Sequence, residues 1–99
     1  MRVRLHPEAR AELRDARKWY FERSPLSATA FAHAVDNAVS QIVEGPTRYP
    51  MAEHGTRKFV LRRFPFNIFY RPGESETVIV AVAHQKRRPG YWADRVVST

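Results

Sequence analysis

The stretch RKFVLRRFPFNIFYRPGESETVIVAVAH, residues 57–84, decides the fold. Its apolar residues follow the two-residue period of β-structure, which predicts strands over residues 57–63, 66–71 and 77–84. The connections are short, and Pro72-Gly73 marks the second of them as a turn, so the three strands should form an antiparallel meander. The third strand is the most apolar and is therefore expected in the centre of the sheet.

The residues before this stretch predict one more strand and two helices. RVRL, residues 2–5, alternates like a short strand, and a helix should then run from Pro7 to about Arg23. A second helix is expected to begin at Leu26 or Ser27 and to end at Gly45. The predicted fold class is α+β in the order β-α-α-β-β-β: a helical hairpin on one face of a mainly antiparallel four-stranded sheet, plus a short C-terminal tail or helix. One domain is expected over residues 1–99. The apolar stripes of the helices are Ala9, Leu13, Ala16 and Tyr20, then Ala28, Phe31, Val35, Ala38, Val39 and Ile42.

Composition favours a soluble, cytoplasmic protein with a polyanionic partner. Hydrophobic residues make up 43% of the chain, cysteine is absent, and no apolar run approaches the ~18 residues of a membrane span. The net charge is +7, and residues 57–99 carry nine cations against three anions, whereas residues 1–56 carry eight against seven. A one-sided positive field favours nucleic acid, the ribosome or an acidic protein segment. A basic surface without a dedicated partner is the alternative.

The tail HQKRRPGYW, residues 84–92, holds the candidate functional residues. Three consecutive cations precede a Pro-Gly turn and two aromatic rings, which either grip a partner or anchor the tail. Burial is the expected role of Trp92, while both roles stay open for Tyr91. His84 either hydrogen-bonds to the backbone at the strand end or takes part in acid–base chemistry. Trp19 and Tyr20 are expected in the core or in helix–sheet contacts.

Four phrases in this order resemble the RelE/ParE superfamily of toxins from bacterial type II toxin–antitoxin systems. They are EARAELRDARKWYFERSP, AFAHAVDNAVSQI followed by PTRYP, VLRRFPFNIFYR, and VIVAVAHQKRRPGYW. The resemblance covers nearly the whole chain. It implies a growth-inhibiting toxin of a plasmid-stabilisation system, neutralised by a cognate antitoxin that wraps around it. DNA would then be contacted only indirectly, through the antitoxin complex.

The superfamily divides into RelE-like enzymes, which cleave messenger RNA on the ribosome, and ParE-like inhibitors of DNA gyrase. Against the pattern of the RNA-cleaving members, Lys58 and Tyr91 match. Val60, Asn67 and Gln85 stand where that pattern has basic residues, although Arg87 or Arg88 could replace one of them through a shift in the tail. The resemblance therefore implies a ParE-like toxin acting on gyrase. A nuclease would use His84, Tyr91, Lys58 and Arg88.

An inactive module that sequesters an antitoxin is a third possibility, because a disused toxin would keep its fold and charge. No cofactor is expected. No metal site is expected either, since His6, His33 and His54 lie on separate elements without ligand spacing. The surface predicted to bind the target or the antitoxin comprises Arg62, Arg63, His84, Lys86, Arg87, Arg88 and Tyr91.

Overall fold

A computed structural model describes residues 2–97 of the chain. Along the chain, the elements are β1 (Arg2–Leu5), α1 (Pro7–Arg23), α2 (Pro25–Glu44), β2 (Arg57–Val60), β3 (Phe66–Pro72), β4 (Glu76–His84) and α3 (Ala93–Val97). The predicted β-α-α-β-β-β order is confirmed, and the tail ends in a short helix. The sheet order is β1-β4-β3-β2, so β4 lies inside the sheet as expected.

The two long helices begin and end where local chemistry favours it. Pro7 occupies the first turn of α1, and the backbone N–H of Glu8 donates to His6 Nδ1 at 3.1 Å. Ser24 ends α1 and also caps α2, because its Oγ accepts from the N–H of Ser27 at 3.4 Å. Helix α2 begins at Pro25, one residue before the earliest predicted start, because proline fits the first turn of a helix.

The meander is antiparallel, and β1 adds to it in parallel. Residues Arg2–Leu5 pair with Glu76–Ile79 of β4, while β4 pairs on its other side with β3. Strand β2 ends at Val60 rather than at residue 63, because the chain turns: the N–H of Leu61 donates to the carbonyl of Phe66 at 3.0 Å. The prediction of three strands is confirmed, and the first of them is shorter than predicted.

The helical hairpin covers one face of the sheet. Its predicted apolar stripes lie in or against the larger hydrophobic core, except for Ala28, which is buried outside that cluster. Phe31, Tyr70 and Phe64 help to fill this core. Trp19 lies outside these stripes and is 49% exposed, so the expectation of a core position is wrong for it. Trp19 follows the buried position Ala16 by three residues, but its ring lies at the rim of a cleft beside α1. Tyr20 does pack against the core, with its ring centroid 5.1 Å from that of Phe31.

The opposite face of the sheet carries a smaller core. A register irregularity at Phe69/Tyr70 pairs these residues with Ala81 and Ile79, which leaves Val80 as an extra residue of β4. As a result, Val80 and Ala81 both join the second cluster, which contains Val78, Ala83 and Trp92 as well. None of the helices among residues 2–97 is long and apolar enough to cross a membrane.

Candidate functional site

The tail leaves β4 at His84 and crosses the second face of the sheet. The backbone N–H of Gln85 donates to the carbonyl of Pro65 at 2.8 Å, which ties the start of the tail to the β2–β3 turn. Gly90 then adopts a φ of +73°, in the left-handed region that favours glycine, and the chain continues into α3. The predicted Pro-Gly turn therefore depends on the positive φ of Gly90.

Trp92 anchors the tail. It is only 1% exposed, and its ring centroid lies 4.7 Å from that of Phe69 and 5.9 Å from the ring of His54. An aromatic ring of this size removes about 150–250 Å² from water when it is buried. The expectation that Trp92 is buried is confirmed, and the tail is docked by it.

Glu12 of α1 makes the second attachment. Its carboxylate accepts two hydrogen bonds from the Arg95 guanidinium, at 2.8 and 3.0 Å, and one from the Tyr91 hydroxyl. It also accepts from the backbone N–H of Val82 at 3.0 Å, beyond the point where β1 stops pairing with β4. The Glu12 and Arg95 side chains are 17% and 14% exposed, so this is a largely buried, two-pronged ion pair. One carboxylate thus joins the helical hairpin, the central strand and the tail.

Tyr91 lies between two arginines and is held by Glu12. The guanidinium carbons of Arg87 and Arg95 lie 3.8 and 5.2 Å from its ring centroid. Burial raises the pKa of Tyr91, and its hydrogen bond to Glu12 and the negative charge of that carboxylate raise it further. The phenol therefore remains protonated and serves as a donor to Glu12.

A polar groove lies between the tail and the second face of the sheet. It has a volume of about 620 Å³. Five of the predicted functional or nuclease residues line it together: Lys58, His84, Arg87, Arg88 and Tyr91. We call this the tail groove. Of the remaining candidates, Lys86 is exposed beside it, whereas Arg62 and Arg63 line a separate groove of about 360 Å³ beside α2.

Three positions that matter for RNA cleavage meet in the structure. Val60 is paired with Asn67 across β2 and β3, and Gln85 donates from Nε2 to Asn67 Oδ1 at 3.2 Å. All three side chains are uncharged. The hydrogen-bonded pair Asn67–Gln85 lines the tail groove, at positions where the resemblance implies arginines in RNA-cleaving members.

His84 closes one end of the tail groove. Its Nδ1 accepts from the backbone N–H of Lys86 at 3.1 Å, and its ring makes an edge contact with Phe66 at 5.2 Å between centroids. The backbone hydrogen bond expected for this residue is confirmed. His84 and Arg87 also line the cleft beside α1, so the two grooves meet at the end of β4.

Sequence reasoning missed Glu12 and Arg95. A glutamate three residues after Ala9 and four before Ala16 sits at the border of the apolar stripe, and this is the only local signal for it. Its partners lie 70 to 83 residues further along the chain, so the sequence gives no spacing that would reveal them. Among residues 2–97, no cluster of histidine and acidic side chains is arranged to hold a metal ion.

A helical hairpin on one face of the sheet and a basic tail on the other is the arrangement expected from the resemblance to the RelE/ParE superfamily of small toxins. A family model described as "ParE toxin of type II toxin-antitoxin system, parDE" matches residues 3–89. The chain belongs to this family of type II toxins, whose systems pair a toxin with a cognate antitoxin. The match ends before Tyr91, Trp92 and Arg95, which fix the tail.

A solved structure titled "Chromosomal ParDE TA system from P. aeruginosa" has the same fold. The TM-score is 0.62 at 21% identity, and the alignment covers 85% of this chain and 95% of that chain. No curated protein sequence is similar enough to this chain to count as a match.

Proposed function

We propose that this chain inhibits growth by binding DNA gyrase through the tail groove, without cutting RNA, and that its antitoxin neutralises it. The observation that carries this proposal is the neutral Asn67–Gln85 pair in the groove, beside a Tyr91 hydroxyl already bound to Glu12. Family membership supports the assignment as a toxin, and the uncharged pair in the groove supports a protein target over RNA.

RNA cleavage through the 2′-hydroxyl needs a base for that proton, positive groups for the phosphate charge, and an acid for the leaving oxygen. Tyr91 offers no base, because its proton is donated to Glu12 and its pKa is raised. His84 Nδ1 accepts a backbone N–H, so the neutral ring carries its proton on Nε2 and presents no lone pair to the groove. The groove therefore has cations, and neither Tyr91 nor His84 offers it a base. Its one acidic lining residue is Glu53.

A protein target suits the same groove. The groove is a preformed concavity lined by three cations, Lys58, Arg87 and Arg88, and by the rings of Phe69 and Trp92. Fixed aromatic rings together with arginines are typical of binding hot spots. The tail is docked before any partner arrives, so little ordering cost accompanies binding. Acidic side chains on the target would complement the three cations.

A ribosome-dependent RNA-cleaving activity of the RelE type is the second candidate. One observation favours it: Lys58, Arg87 and Arg88 line one groove together with His84, as a phosphate-binding nuclease site would require. The two candidates differ in their effect: the nuclease would cleave messenger RNA, whereas the gyrase inhibitor would block supercoiling.

The test uses the purified chain in two assays. We expect it to block supercoiling by purified gyrase and to leave messenger RNA whole in a translating extract. Replacing Arg87→Ala together with Arg88→Ala should weaken gyrase inhibition at least about tenfold. The matched control is Arg62→Ala with Arg63→Ala, which removes the same charge from the groove beside α2. Cleaved RNA, lost in His84→Ala, would establish the second candidate, and activity in neither assay would indicate an inactive module that only sequesters an antitoxin.

Neutralisation and plasmid stabilisation form the cellular part of the proposal. Expression of this chain alone in the cytoplasm should arrest the growth of the cells, and co-expression with its antitoxin should restore it. A plasmid that carries both genes should be lost more slowly without selection than the same plasmid with the toxin gene interrupted. Equal loss rates would remove plasmid stabilisation from the proposal and leave the toxin activity intact.

A further inference from the structure

The edge of β4 that faces β1 is completed by side chains over its last residues. Strand β1 pairs with β4 only as far as Ile79, although β4 continues for five more residues. Beyond that point, the Arg95 guanidinium donates to the carbonyl of Val80 at 3.2 Å, and the Glu12 carboxylate accepts from the N–H of Val82 at 3.0 Å. This end of the edge is therefore not paired with another strand.

Two main-chain groups of this edge remain open. The N–H of Gln85 donates to the carbonyl of Pro65 on the β3 side, so the alternation of a strand turns the main-chain groups of Val82 and His84 away from β3. The N–H of Val82 is already used, and the carbonyl of His84 accepts from the N–H of Arg87 at 2.9 Å. Within residues 2–97, the carbonyl of Val82 and the N–H of His84 have no hydrogen-bond partner.

The two open groups select a strand that runs parallel to β4. In parallel pairing, one residue of the added strand donates to the carbonyl before its opposite residue and accepts from the N–H after it. Val82 and His84 flank Ala83 and offer those two groups. Every antiparallel pairing at this place would need the N–H of Val82 or the carbonyl of His84, and both are used. An added segment would therefore run in the direction of β1, which is also parallel to β4.

The cleft beside α1 adjoins the two open groups. It has a volume of about 430 Å³, and Val82 and His84 both line it, together with the rings of Tyr20 and Phe66. Ala83 belongs to the core of the tail face and Val82 to that of the helical face. A residue paired opposite Ala83 would thus have neighbours whose side chains point to the helical face, where the apolar cleft lies.

Trp19 forms the rim of this cleft with a half-exposed ring that is already fixed. The guanidinium carbon of Arg23 lies 3.5 Å from the ring centroid, and Nη1 of Arg23 donates to the carbonyl of Trp19 at 2.9 Å. The ring of Tyr20 meets it edge-on, with 5.1 Å between centroids. Tryptophan is among the residues most enriched in binding hot spots, and a ring fixed before binding loses little entropy when a partner covers it.

The charges of the cleft favour an apolar segment without an excess of acid. Its charged lining residues are Glu12, Asp15 and Arg87, and the charge of Glu12 is balanced by Arg95. Asp15 and Arg87 then carry opposite charges, so this lining attracts neither nucleic acid nor an acidic segment. The tail groove, which is lined by three cations, has the opposite preference.

We propose that the antitoxin docks in the cleft beside α1 as an extended, apolar segment that runs parallel to β4 and bridges Val82 and His84. The tail groove is assigned to the target, and a toxin of this family has an antitoxin to bind as well. Arg87 lines both the cleft and the tail groove, so a segment in the cleft lies beside a residue that binds the target. This inference rests on the proposed neutralisation by an antitoxin, but it does not require gyrase to be the target.

The first test compares two half-exposed rings of α1 that lie on different surfaces. Trp19 lines the cleft, whereas Phe21, 59% exposed, lines a separate groove of the same helix. The affinity of the purified full-length cognate antitoxin is measured for the parent, Trp19→Ala and Phe21→Ala. We expect Trp19→Ala to bind at least about tenfold more weakly, and Phe21→Ala to lose less than about threefold. Far-UV circular dichroism should be the same for all three chains, because alanine keeps α1 helical.

The second test detects the strand pairing directly by NMR. In the free chain, the His84 amide has no acceptor and should exchange rapidly with solvent, whereas the amide of Ala83 faces β3 and should be protected. In the complex, the His84 amide should exchange at least about tenfold more slowly, while Ala83 serves as the internal control. A scalar coupling across the new hydrogen bond should connect the His84 amide nitrogen to a carbonyl carbon of the labelled antitoxin.

Each alternative occupant has its own result. Equal losses in the two ring variants would overturn the assignment of the cleft, and a complex without the scalar coupling would overturn the added strand in favour of a helix or another mode of docking. If Trp19→Ala weakened the binding of gyrase and not that of the antitoxin, the cleft would belong to the target. No binding of the antitoxin by the parent would remove both this inference and the proposed neutralisation. A parent that binds the antitoxin but not gyrase would remove only the proposed target.

Discussion

The two faces of the sheet are covered in different ways. The helical face is covered by α1 and α2, 17 and 20 residues long, whose apolar stripes share the burial among many side chains. The tail face is closed by a short segment with one buried ring, Trp92, and one carboxylate, Glu12. The first arrangement tolerates small changes, and the second depends on single residues. The residues proposed to bind the target lie on the second face.

The largest expected effect is that of Trp92→Ala. The substitution should lower the free energy of unfolding by about 3–5 kcal/mol, as is typical when a buried ring is truncated, and should undock the tail. Phe31→Ala should cost a similar amount on the helical face but leave the tail in place. Urea unfolding measures both stabilities, and brief trypsin digestion reports the tail through cleavage after Lys86 and Arg87. Equal cleavage of the two variants would show that the tail does not depend on Trp92.

Glu12→Gln should cost about 2–3 kcal/mol, because it removes the charge that pairs with a largely buried Arg95. Glu22→Gln on the same helix is the matched control, since Glu22 is exposed and should change stability by less than about 0.5 kcal/mol. Urea denaturation midpoints compare the two variants. If Glu12→Gln cost no more than the control, the ion pair would not hold the tail.

Gly90→Ala should cost about 1–2 kcal/mol. The cost is conformational, since φ is +73° and an added Cβ would meet nothing within 4 Å. Gly55 has a φ of +72° and equally open surroundings, so Gly55→Ala should cost the same. Only Gly90→Ala should also weaken inhibition of the target, because Gly90 turns the tail. Equal effects on inhibition would mean that the tail conformation is unimportant for function.

A smaller effect is expected at high pH. Because the pKa of Tyr91 is raised in the folded state, the unfolded phenol ionises first as pH rises above about 10. The stability that Tyr91 contributes is thus fully present below that pH and is lost progressively above it. Tyr91→Phe lacks the ionisation, so the difference in stability between parent and variant should narrow from pH 9 to pH 11. Melting temperatures at each pH measure this, and a constant difference would contradict the role of Glu12 as acceptor. Tyr20 and Tyr70, whose pKa values burial also raises, are present in both proteins.

The same contrast explains how much could be predicted from the sequence. The stripes of α1 and α2 and the alternation of the strands repeat along the chain, so periodicity predicts the fold and most of the helical core. On the tail face, burial of Trp92 was predicted from its position after a Pro-Gly turn. The contact of Glu12 with Arg95 could not be predicted, because it joins residues that are 83 positions apart in the sequence.

Trp19 shows the limit of judging by residue type: it lies off the periodic stripe of α1, and a large aromatic ring is not by itself a sign of burial. The grouping of Lys58 with Arg87 and Arg88 depends on how the tail turns back over β2 and β3. The split of the predicted surface into the tail groove and the groove of Arg62 and Arg63 depends on the β2–β3 turn. Residue types alone do not specify the conformation of the tail or of the β2–β3 turn, so neither grouping could be predicted from the sequence.

The central claim is that the docked tail presents its cations to a protein target. The most direct measurement is the affinity of purified gyrase for three chains: the parent, Arg87→Ala with Arg88→Ala, and Arg62→Ala with Arg63→Ala. All four arginines are exposed and should contribute little to stability. Arg87→Ala also removes the guanidinium that lies 3.8 Å from the Tyr91 ring, at a cost of about 0.5–1 kcal/mol, so the stability of each variant is measured beside its affinity. The account predicts tight binding of the parent, at least about tenfold weaker binding of the tail variant, and a clearly smaller loss for the turn variant. No binding by the parent, or equal losses in the two variants, would contradict it.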